Sequence, residues 1–186
     1  MKFKNNIIEI FVIFGALLLL FYSSDPVIYS DSGRYIDGGP LDPPMYSKII
    51  KIMLSMFETL NSVVVLQTLL ISFAIIYFTR TIAIHFDLGI LTKVFISLLL
   101  FLPILQFYNN LLTEPLGYAF SLFFVSSVFK LIFNYNYQNL FWVTFFIVAL
   151  LLTRNQFMFL YPVVLLLYIG IFILFRSKST ATWLIA

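Results

Sequence analysis

Residues 60–79 read LNSVVVLQTLLISFAIIYFT, twenty consecutive positions without a charged side chain. About 20 mostly apolar residues in a helix cross the roughly 30 Å of bilayer hydrocarbon, so this stretch predicts a transmembrane helix. The same rule, applied outward along the chain, predicts six spans over residues 3–22, 60–79, 90–108, 115–133, 139–153 and 157–175. We therefore predict an all-α polytopic membrane protein in which residues 1–186 form a single transmembrane module.

The composition agrees with this class and excludes others. Of the 186 residues, 62% are hydrophobic and 10% are charged, whereas soluble domains have about 45–50% apolar and about 25% charged residues. The chain has no cysteine, which excludes a disulfide framework, a thiolate nucleophile and a cysteine-based metal site. Its single histidine, His85, argues against a multi-histidine metal site.

Basic residues are distributed unevenly between the two sides that six spans define. If the N-terminus is cytoplasmic, four basic residues lie outside and seven lie inside, namely Lys2, Lys4, Arg80, Lys93, Lys130, Arg176 and Lys178. This orientation satisfies the positive-inside rule. Six of the eight acidic residues fall outside, so the net charge of +3 is a topology signal and no nucleic-acid partner is expected.

The only long polar connection is residues 23–59, on the outer side of the predicted topology. Its first half, SSDPVIYSDSGRYIDGGPLDPP, holds one arginine and four aspartates, Asp25, Asp31, Asp37 and Asp42. Charges in loops are usually solvated surface. Here membrane helices tether both ends of the loop, so the carboxylates are expected to lie close to the bilayer, where chemistry on lipid-linked substrates takes place.

The second half of this loop, MYSKIIKIMLSMFETL, predicts a helix over residues 45–59. Asp42 is placed to cap it, and Pro43 and Pro44 fall in the first turn, where a missing N–H costs nothing. One polar stripe runs along an otherwise apolar cylinder and consists of Lys48, Lys51, Ser55 and Glu58. That pattern favours a helix lying flat at the membrane surface. The alternative is that residues 45–59 extend the second span.

The sequence Asp31-Ser32-Gly33-Arg34-Tyr35 resembles the first outer loop of polyprenyl-phosphate-dependent glycosyltransferases with the GT-C fold. That family includes the protein O-mannosyltransferases and the transferases that add aminoarabinose to lipid A. Its members have a cytoplasmic N-terminus, one span, an acidic residue followed four positions later by Tyr, a Pro-rich segment and a membrane-parallel helix. The same order occurs in this chain, with Asp31 and Tyr35, then the Pro-rich segment 40–46 and then the predicted helix.

Two further matches follow along the chain. Leu112-Thr113-Glu114-Pro115-Leu116 opens the fourth predicted span, as a Thr-Glu-x-Leu motif does in many of these enzymes. Leu152-Thr153-Arg154, with Pro162 eight residues further on, resembles the basic residue that the family places between its fifth and sixth spans. The resemblance covers only the N-terminal part of the family's usual architecture, so we expect a chain that is truncated at its C-terminus.

The resemblance implies roles for two acidic residues. Asp31 matches the catalytic carboxylate, a general base that takes the proton of the acceptor hydroxyl as it attacks the anomeric carbon. Glu114 is the second catalytic candidate, which would bind the acceptor or, together with Asp31, a divalent cation; no cofactor is certain. The structural alternatives are that Asp31 caps a short helix and that Glu114 favours a positive helix N-terminus, with Thr113 as its cap.

Arg154 is expected to bind substrate. The fifth predicted span reaches only to Thr153, about 15 residues and about 22 Å of helix, so Arg154 and Asn155 would lie below the interface. Ionisable groups at that depth usually line a cavity or pair with a partner, and a lipid phosphate suits a guanidinium. A snorkelling arginine is the alternative. The other substrate-binding candidates are Arg34, Tyr35 and Tyr46.

The resemblance implies a membrane glycosyltransferase that moves a sugar from polyprenyl phosphate to a lipid, glycan or protein acceptor on the outer face. The richness in Asn, Ile, Lys and Phe favours an AT-rich bacterial genome, hence a bacterial plasma membrane. Its expected partners are the bilayer and the lipid-linked sugar donor. A non-catalytic scaffold, partner subunit or inactive fragment of such an enzyme is the main alternative, and a small transporter or flippase-like protein is a third.

Overall fold

The computed structural model describes residues 7–22, 25–38, 44–107, 109–166 and 168–170. In these ranges the chain is helical apart from turns, loops and one isolated bridge, as predicted for an all-α protein. Among these described residues, three helical segments are long and apolar enough to cross a membrane: Asn61–His85, Ile90–Phe107 and Glu114–Phe133. The length and composition of these helices make the chain a helical membrane protein.

The chain divides into two compact units, residues 1–154 and 155–186. Eight helices occur in the described part of the first unit: α1 Ile7–Tyr22, α2 Ser30–Asp37, α3 Pro44–Phe57, α4 Asn61–His85, α5 Ile90–Phe101, α6 Ile104–Phe107, α7 Glu114–Phe133 and α8 Tyr137–Thr153. In the second unit a 3₁₀ helix covers Asn155–Phe159, and residues 160–166 and 168–170 are α-helical.

Each predicted span overlaps a helix, but the helices differ in length. Residues 90–107 are divided into α5 and α6 by a turn at Leu102 and Pro103, because proline lacks the N–H that would continue the helical hydrogen bonds. The other apolar helices of the described part are shorter, with 10–17 residues. In the first unit they are Phe11–Leu20 and Tyr137–Thr153. Helix α3 occupies the position predicted for residues 45–59, whereas its predicted cap, Asp42, lies outside the described residues together with Pro43.

Helix α4 is at the centre of the first unit and packs against α1, α5 and α7. The shared core includes Val12, Ile71, Ala74, Ile75, Ile104 and Ala119, all buried. Hydrogen bonds also join neighbouring helices: the hydroxyls of Thr79 and Ser97 lie 3.2 Å apart, and Lys130 Nζ donates to the Tyr77 hydroxyl at 3.0 Å. Side-chain bonds of this kind hold helices together where lipid removes the hydrophobic driving force.

Gly15 allows α1 and α5 to approach closely, since a Cβ added at this position would lie 3.0 Å from Phe101 Cζ. The substitution G15V therefore pushes Phe101 out of its place, and such overpacking costs about 1–3 kcal/mol. We expect a lower midpoint of thermal unfolding in detergent micelles. The matched control is G33V, because an added Cβ at Gly33 meets nothing within 4 Å. Equal loss of stability in both variants would contradict this packing.

Candidate functional site

The segment that carries Asp31 is paired through its backbone with the segment that precedes Glu114. The Val27 N–H donates to the Asn109 carbonyl at 3.0 Å, and the Leu111 N–H donates to the Val27 carbonyl at 3.1 Å. The result is an isolated parallel bridge between Val27 and Asn110. Two stretches about eighty residues apart in sequence are thereby brought side by side.

Ser32 strengthens this contact from within α2. It is fully buried, and its hydroxyl accepts a hydrogen bond from the Tyr29 N–H at 2.9 Å while donating to the Leu111 carbonyl at 2.8 Å. Tyr29 is the N-cap residue of α2, so the first of these bonds satisfies a backbone donor at the helix start. One small side chain thus fixes both the beginning of α2 and its position beside Leu111.

The other end of α2 is fastened to α3. Gly38 ends the helix in the left-handed conformation, with φ 74°, and its N–H donates to the Arg34 carbonyl at 2.8 Å. Lys51 Nζ donates to the Asp37 carbonyl at 3.0 Å, and a Cβ at Gly38 would lie 2.7 Å from that nitrogen. Glycine at position 38 therefore permits both the left-handed backbone conformation and the close approach of the Lys51 side chain.

We expect S32A to loosen the segment 25–38, because it leaves the Leu111 carbonyl and the Tyr29 N–H without their partner. An unsatisfied buried group costs about 1–3 kcal/mol. Hydrogen exchange of residues 25–38 should become faster in this variant, whereas S30A, at an exposed position two residues earlier, should leave it unchanged. Identical exchange in the two variants would show that Ser32 does not hold the segment.

Asp31 and Arg34 lie on the exposed side of α2. Their side chains are each 59% exposed, and Arg34 Nη1 is 3.9 Å from Asp31 Oδ1. Asp31 is in the first turn of α2, where a carboxylate is favoured by the helix dipole, but the cap position belongs to Tyr29. The alternative in which Asp31 caps this helix is therefore wrong. Its carboxylate is open to solvent and to an approaching ligand.

Tyr35 and Tyr46 form an aromatic contact between α2 and α3, with ring centroids 5.3 Å apart and planes at 82°. Tyr46 is fully buried, and its hydroxyl accepts a hydrogen bond from Gln67 Nε2 at 2.9 Å. Burial raises the pKa of the Tyr46 phenol well above its ordinary value, and the bond from Gln67 offsets only part of this shift. Tyr46 therefore remains a neutral hydroxyl at physiological pH.

Gln67 is a site residue that sequence reasoning missed. It is fully buried in α4, and Nε2 donates a second hydrogen bond, at 3.3 Å, to the Leu112 carbonyl. It thereby connects α3, α4 and the segment before α7. A signal was present in the sequence: Gln67 is the only amide side chain in residues 62–79, and a polar group inside a membrane segment needs a partner.

Glu114 and Arg154 form an ion pair, with Arg154 Nη1 2.8 Å from Glu114 Oε1. The Arg154 side chain is 28% exposed and that of Glu114 is 38% exposed. Glu114 begins α7, and Thr113 occupies the N-cap position without making the expected side-chain capping bond. The second carboxylate oxygen, Oε2, is buried without a hydrogen-bond partner among the described residues.

Arg154 reaches Glu114 because α8 ends one residue earlier. Thr153 is the last residue of α8, and Arg154 follows in extended conformation with φ −158°. The Thr153 hydroxyl donates to the Ala149 carbonyl at 2.6 Å and lies 3.6 Å from Met45 Sδ, which places the end of α8 against the start of α3. Helices α3, α7 and α8 therefore meet near this ion pair.

The structure joins the predicted site residues in three pairs: Asp31 with Arg34, Tyr35 with Tyr46, and Glu114 with Arg154. Asn155 belongs to the second unit, and its side chain lies outside what is described. Within the described ranges, no three His, Asp or Glu side chains are grouped as metal ligands, so the structure supplies no support for a cation between Asp31 and Glu114.

The helices define a membrane protein, and the segments around α2, α3 and the start of α7 define its candidate site. No family model, curated protein or solved structure matches the chain.

Proposed function

We propose that the chain is a membrane glycosyltransferase that moves a sugar from a polyprenyl-phosphate donor to a lipid, glycan or protein acceptor. The observation that carries this proposal is the hydrogen bond from Ser32 to the Leu111 carbonyl, at 2.8 Å. It holds the segment Asp31-Ser32-Gly33-Arg34-Tyr35 beside Leu111, the residue that precedes the segment Leu112-Thr113-Glu114-Pro115-Leu116. The ion pair between Glu114 and Arg154 adds the third motif to the same region.

In the proposed reaction Asp31 is the general base. The acceptor hydroxyl oxygen attacks the anomeric carbon, and its proton passes to the Asp31 carboxylate. The bond from the anomeric carbon to the phosphate oxygen breaks, and the lipid phosphate leaves with the electron pair. This displacement inverts the anomeric centre and needs one base. The exposure of Asp31 supports the role, since an acceptor can approach its carboxylate.

Arg154 is proposed to bind the donor phosphate, for which a planar guanidinium offers two parallel hydrogen bonds. In the structure the Nη1 atom of Arg154 is paired with the carboxylate of Glu114. The donor phosphate must therefore share the guanidinium with Glu114 or displace that carboxylate. Arg34, exposed on α2 beside Asp31, is proposed as a second contact to the donor.

R154K keeps the positive charge but loses the planar pair of donors. We expect donor binding to weaken about tenfold, the loss of about one charge-assisted hydrogen bond, with acceptor binding changed much less. The measurement is the KM for the polyprenyl-phosphate sugar against the KM for the acceptor. An unchanged KM for the donor would rule the contact out.

We place the site at the outer face of a bacterial plasma membrane, in a chain with six spans and a cytoplasmic N-terminus. The distribution of basic residues supports this orientation. Helix α3 is proposed to lie in the interface, since apolar and polar side chains are both exposed along it: Ile52, Met56 and Phe57 beside Lys48, Lys51 and Ser55. Such a mixed surface suits the boundary between headgroups and acyl chains.

The test of this function uses membranes from cells that express the chain and from cells with an empty vector. Both are supplied with radiolabelled sugars on polyprenyl phosphate, and the label is followed into lipid, glycan and protein fractions. We expect chain-dependent transfer from one of these donors. Absence of transfer by correctly inserted protein would favour the non-catalytic scaffold instead. The same assay with EDTA determines whether a divalent cation is required.

A further inference from the structure

Two buried oxygen atoms, one of them in the Glu114–Arg154 ion pair, have no hydrogen-bond partner among the described residues. They are Gln67 Oε1 and Glu114 Oε2, each shielded from solvent. Buried acceptors are normally satisfied, so a pair of unsatisfied ones calls for a specific explanation. The third such atom, Ser47 Oγ, belongs to a residue beside Gly38, since a Cβ added at Gly38 would lie 3.7 Å from the Ser47 Cβ.

The orientation of the Gln67 amide follows from its partners. Both hydrogens of Nε2 are used, one on the Tyr46 hydroxyl and one on the Leu112 carbonyl. Rotating the amide by half a turn would set Oε1 against the Leu112 carbonyl, and two acceptors would face each other. In that orientation Oε1 would accept from the Tyr46 hydroxyl, but only at the cost of facing the Leu112 carbonyl, so the fold favours the orientation that leaves Oε1 without a partner.

The two residues that carry the unsatisfied oxygens are linked through Leu112 and Tyr46, and Gln67, Tyr46 and Glu114 are together called the polar cluster. Gln67 donates a hydrogen bond to the carbonyl of Leu112, which is two residues before Glu114 in the chain. Burial raises the pKa of Tyr46, and the charge of Glu114 raises it further. The Tyr46 hydroxyl accepts from Gln67 and still has its own hydrogen to donate. Among the described residues the cluster therefore has two unused acceptors and one unused donor, and its Glu114 is paired with the guanidinium of Arg154.

A ligand for this cluster must donate at least two hydrogen bonds and accept one. Phosphate oxygens fail this requirement, because an ionised phosphate offers acceptors and no donor. A divalent cation finds a single carboxylate here. Neighbouring hydroxyl groups of a carbohydrate both donate and accept, and they match the cluster.

We propose that Gln67, Glu114 and Tyr46 form the subsite that recognises hydroxyl groups of the sugar on the lipid-phosphate donor. The proposal rests on the glycosyltransferase function above and adds a specificity-determining residue, Gln67. Glu114 contributes to both halves of the donor: Oε1 holds the guanidinium assigned to the phosphate, and Oε2 receives a sugar hydroxyl. The sugar and its phosphate are covalently joined, so neighbouring subsites are what this donor requires.

The test compares two ligands on the full chain in lipid nanodiscs. One ligand is bare undecaprenyl phosphate, and the other is the same carrier bearing glucose, mannose or an arabinose. The quantity of interest is the ratio of the two dissociation constants, bare carrier over sugar-bearing carrier. We expect a ratio well above one in the wild type for at least one sugar. Q67L should lower it about tenfold, the value of about one hydrogen bond, without changing affinity for the bare carrier.

Thr68 provides the matched control. It is the next residue in α4 and equally buried, but its hydroxyl bonds to the Val64 carbonyl of its own helix. T68V should keep the wild-type ratio. If Q67L does not fold, Y46F replaces it, since that change removes a single hydroxyl and keeps the ring on Tyr35. Y46F is also expected to lower the ratio.

Three results would overturn the proposal. A ratio that Q67L and Y46F both leave unchanged would show that water alone satisfies the two oxygens. A wild-type ratio of one, with tight binding of the bare carrier, would agree with the proposed phosphate site and contradict the proposed sugar subsite. A folded wild-type chain that binds neither lipid would contradict the glycosyltransferase function itself.

Discussion

D31N is expected to abolish sugar transfer while leaving membrane insertion and stability unchanged. An amide cannot take the proton of the acceptor hydroxyl, and removal of a general base lowers rates by about 10²- to 10⁴-fold. Stability should not change, because Asp31 is 59% exposed and its pairing with Arg34, at 3.9 Å, is a surface contact of little value. The measurement is kcat for transfer of labelled sugar, alongside the thermal midpoint.

The same segment supplies the controls for this prediction. Asp25 and Asp37 are also exposed aspartates of residues 25–38, so D25N and D37N remove the same charge without removing the assigned base. Both are expected to retain most of the activity. Near-normal turnover by D31N would contradict its assignment, and a selective loss in D37N would move the base to Asp37.

The second large effect is expected at the ion pair between Glu114 and Arg154. E114L leaves a partly buried guanidinium without its carboxylate, and R154L leaves the carboxylate without its guanidinium. Because the two side chains are 38% and 28% exposed, solvent screens part of the loss. We expect each single variant to be less stable by about 1–2 kcal/mol. Transfer should fall by at least about tenfold, since each variant also lacks a proposed donor contact.

The double variant E114L/R154L separates structure from function. Removing both charges leaves no unpaired group, so most of the stability should return. Transfer should remain as low as in the single variants, because neither the phosphate contact nor the sugar contact is restored. Denaturant unfolding and initial rates on all four proteins complete this cycle. Recovery of activity together with stability would show that the pair is purely structural.

The sequence predicted the helices better than it predicted their contacts. Apolar runs determine where helices form in a bilayer, which is why α4 and α7 lie where residues 60–79 and 115–133 predict them. The end of α8 at Thr153 also agrees with the length of its apolar run. The division between α5 and α6 was not predicted, although Pro103 is a sufficient reason for it.

The candidate site could be predicted residue by residue but not as an arrangement. Glu114 and Arg154 were each selected from local motifs, and their pairing depends on the packing of α8 against α3 and α7. Ser32 and Gln67 were missed because their importance lies in long-range bonds to Leu111 and Leu112. No local pattern encodes such bonds, although a single glutamine in an apolar helix indicates that a partner exists.

The decisive measurement is release of free polyprenyl phosphate by the purified chain in liposomes that contain a labelled sugar donor and a bacterial lipid extract as acceptor source. We predict that the wild type releases the carrier in step with transfer of the label, and that D31N binds the donor without releasing it. If a folded chain that binds the donor leaves every sugar–phosphate bond intact, the proposed glycosyltransferase function is wrong.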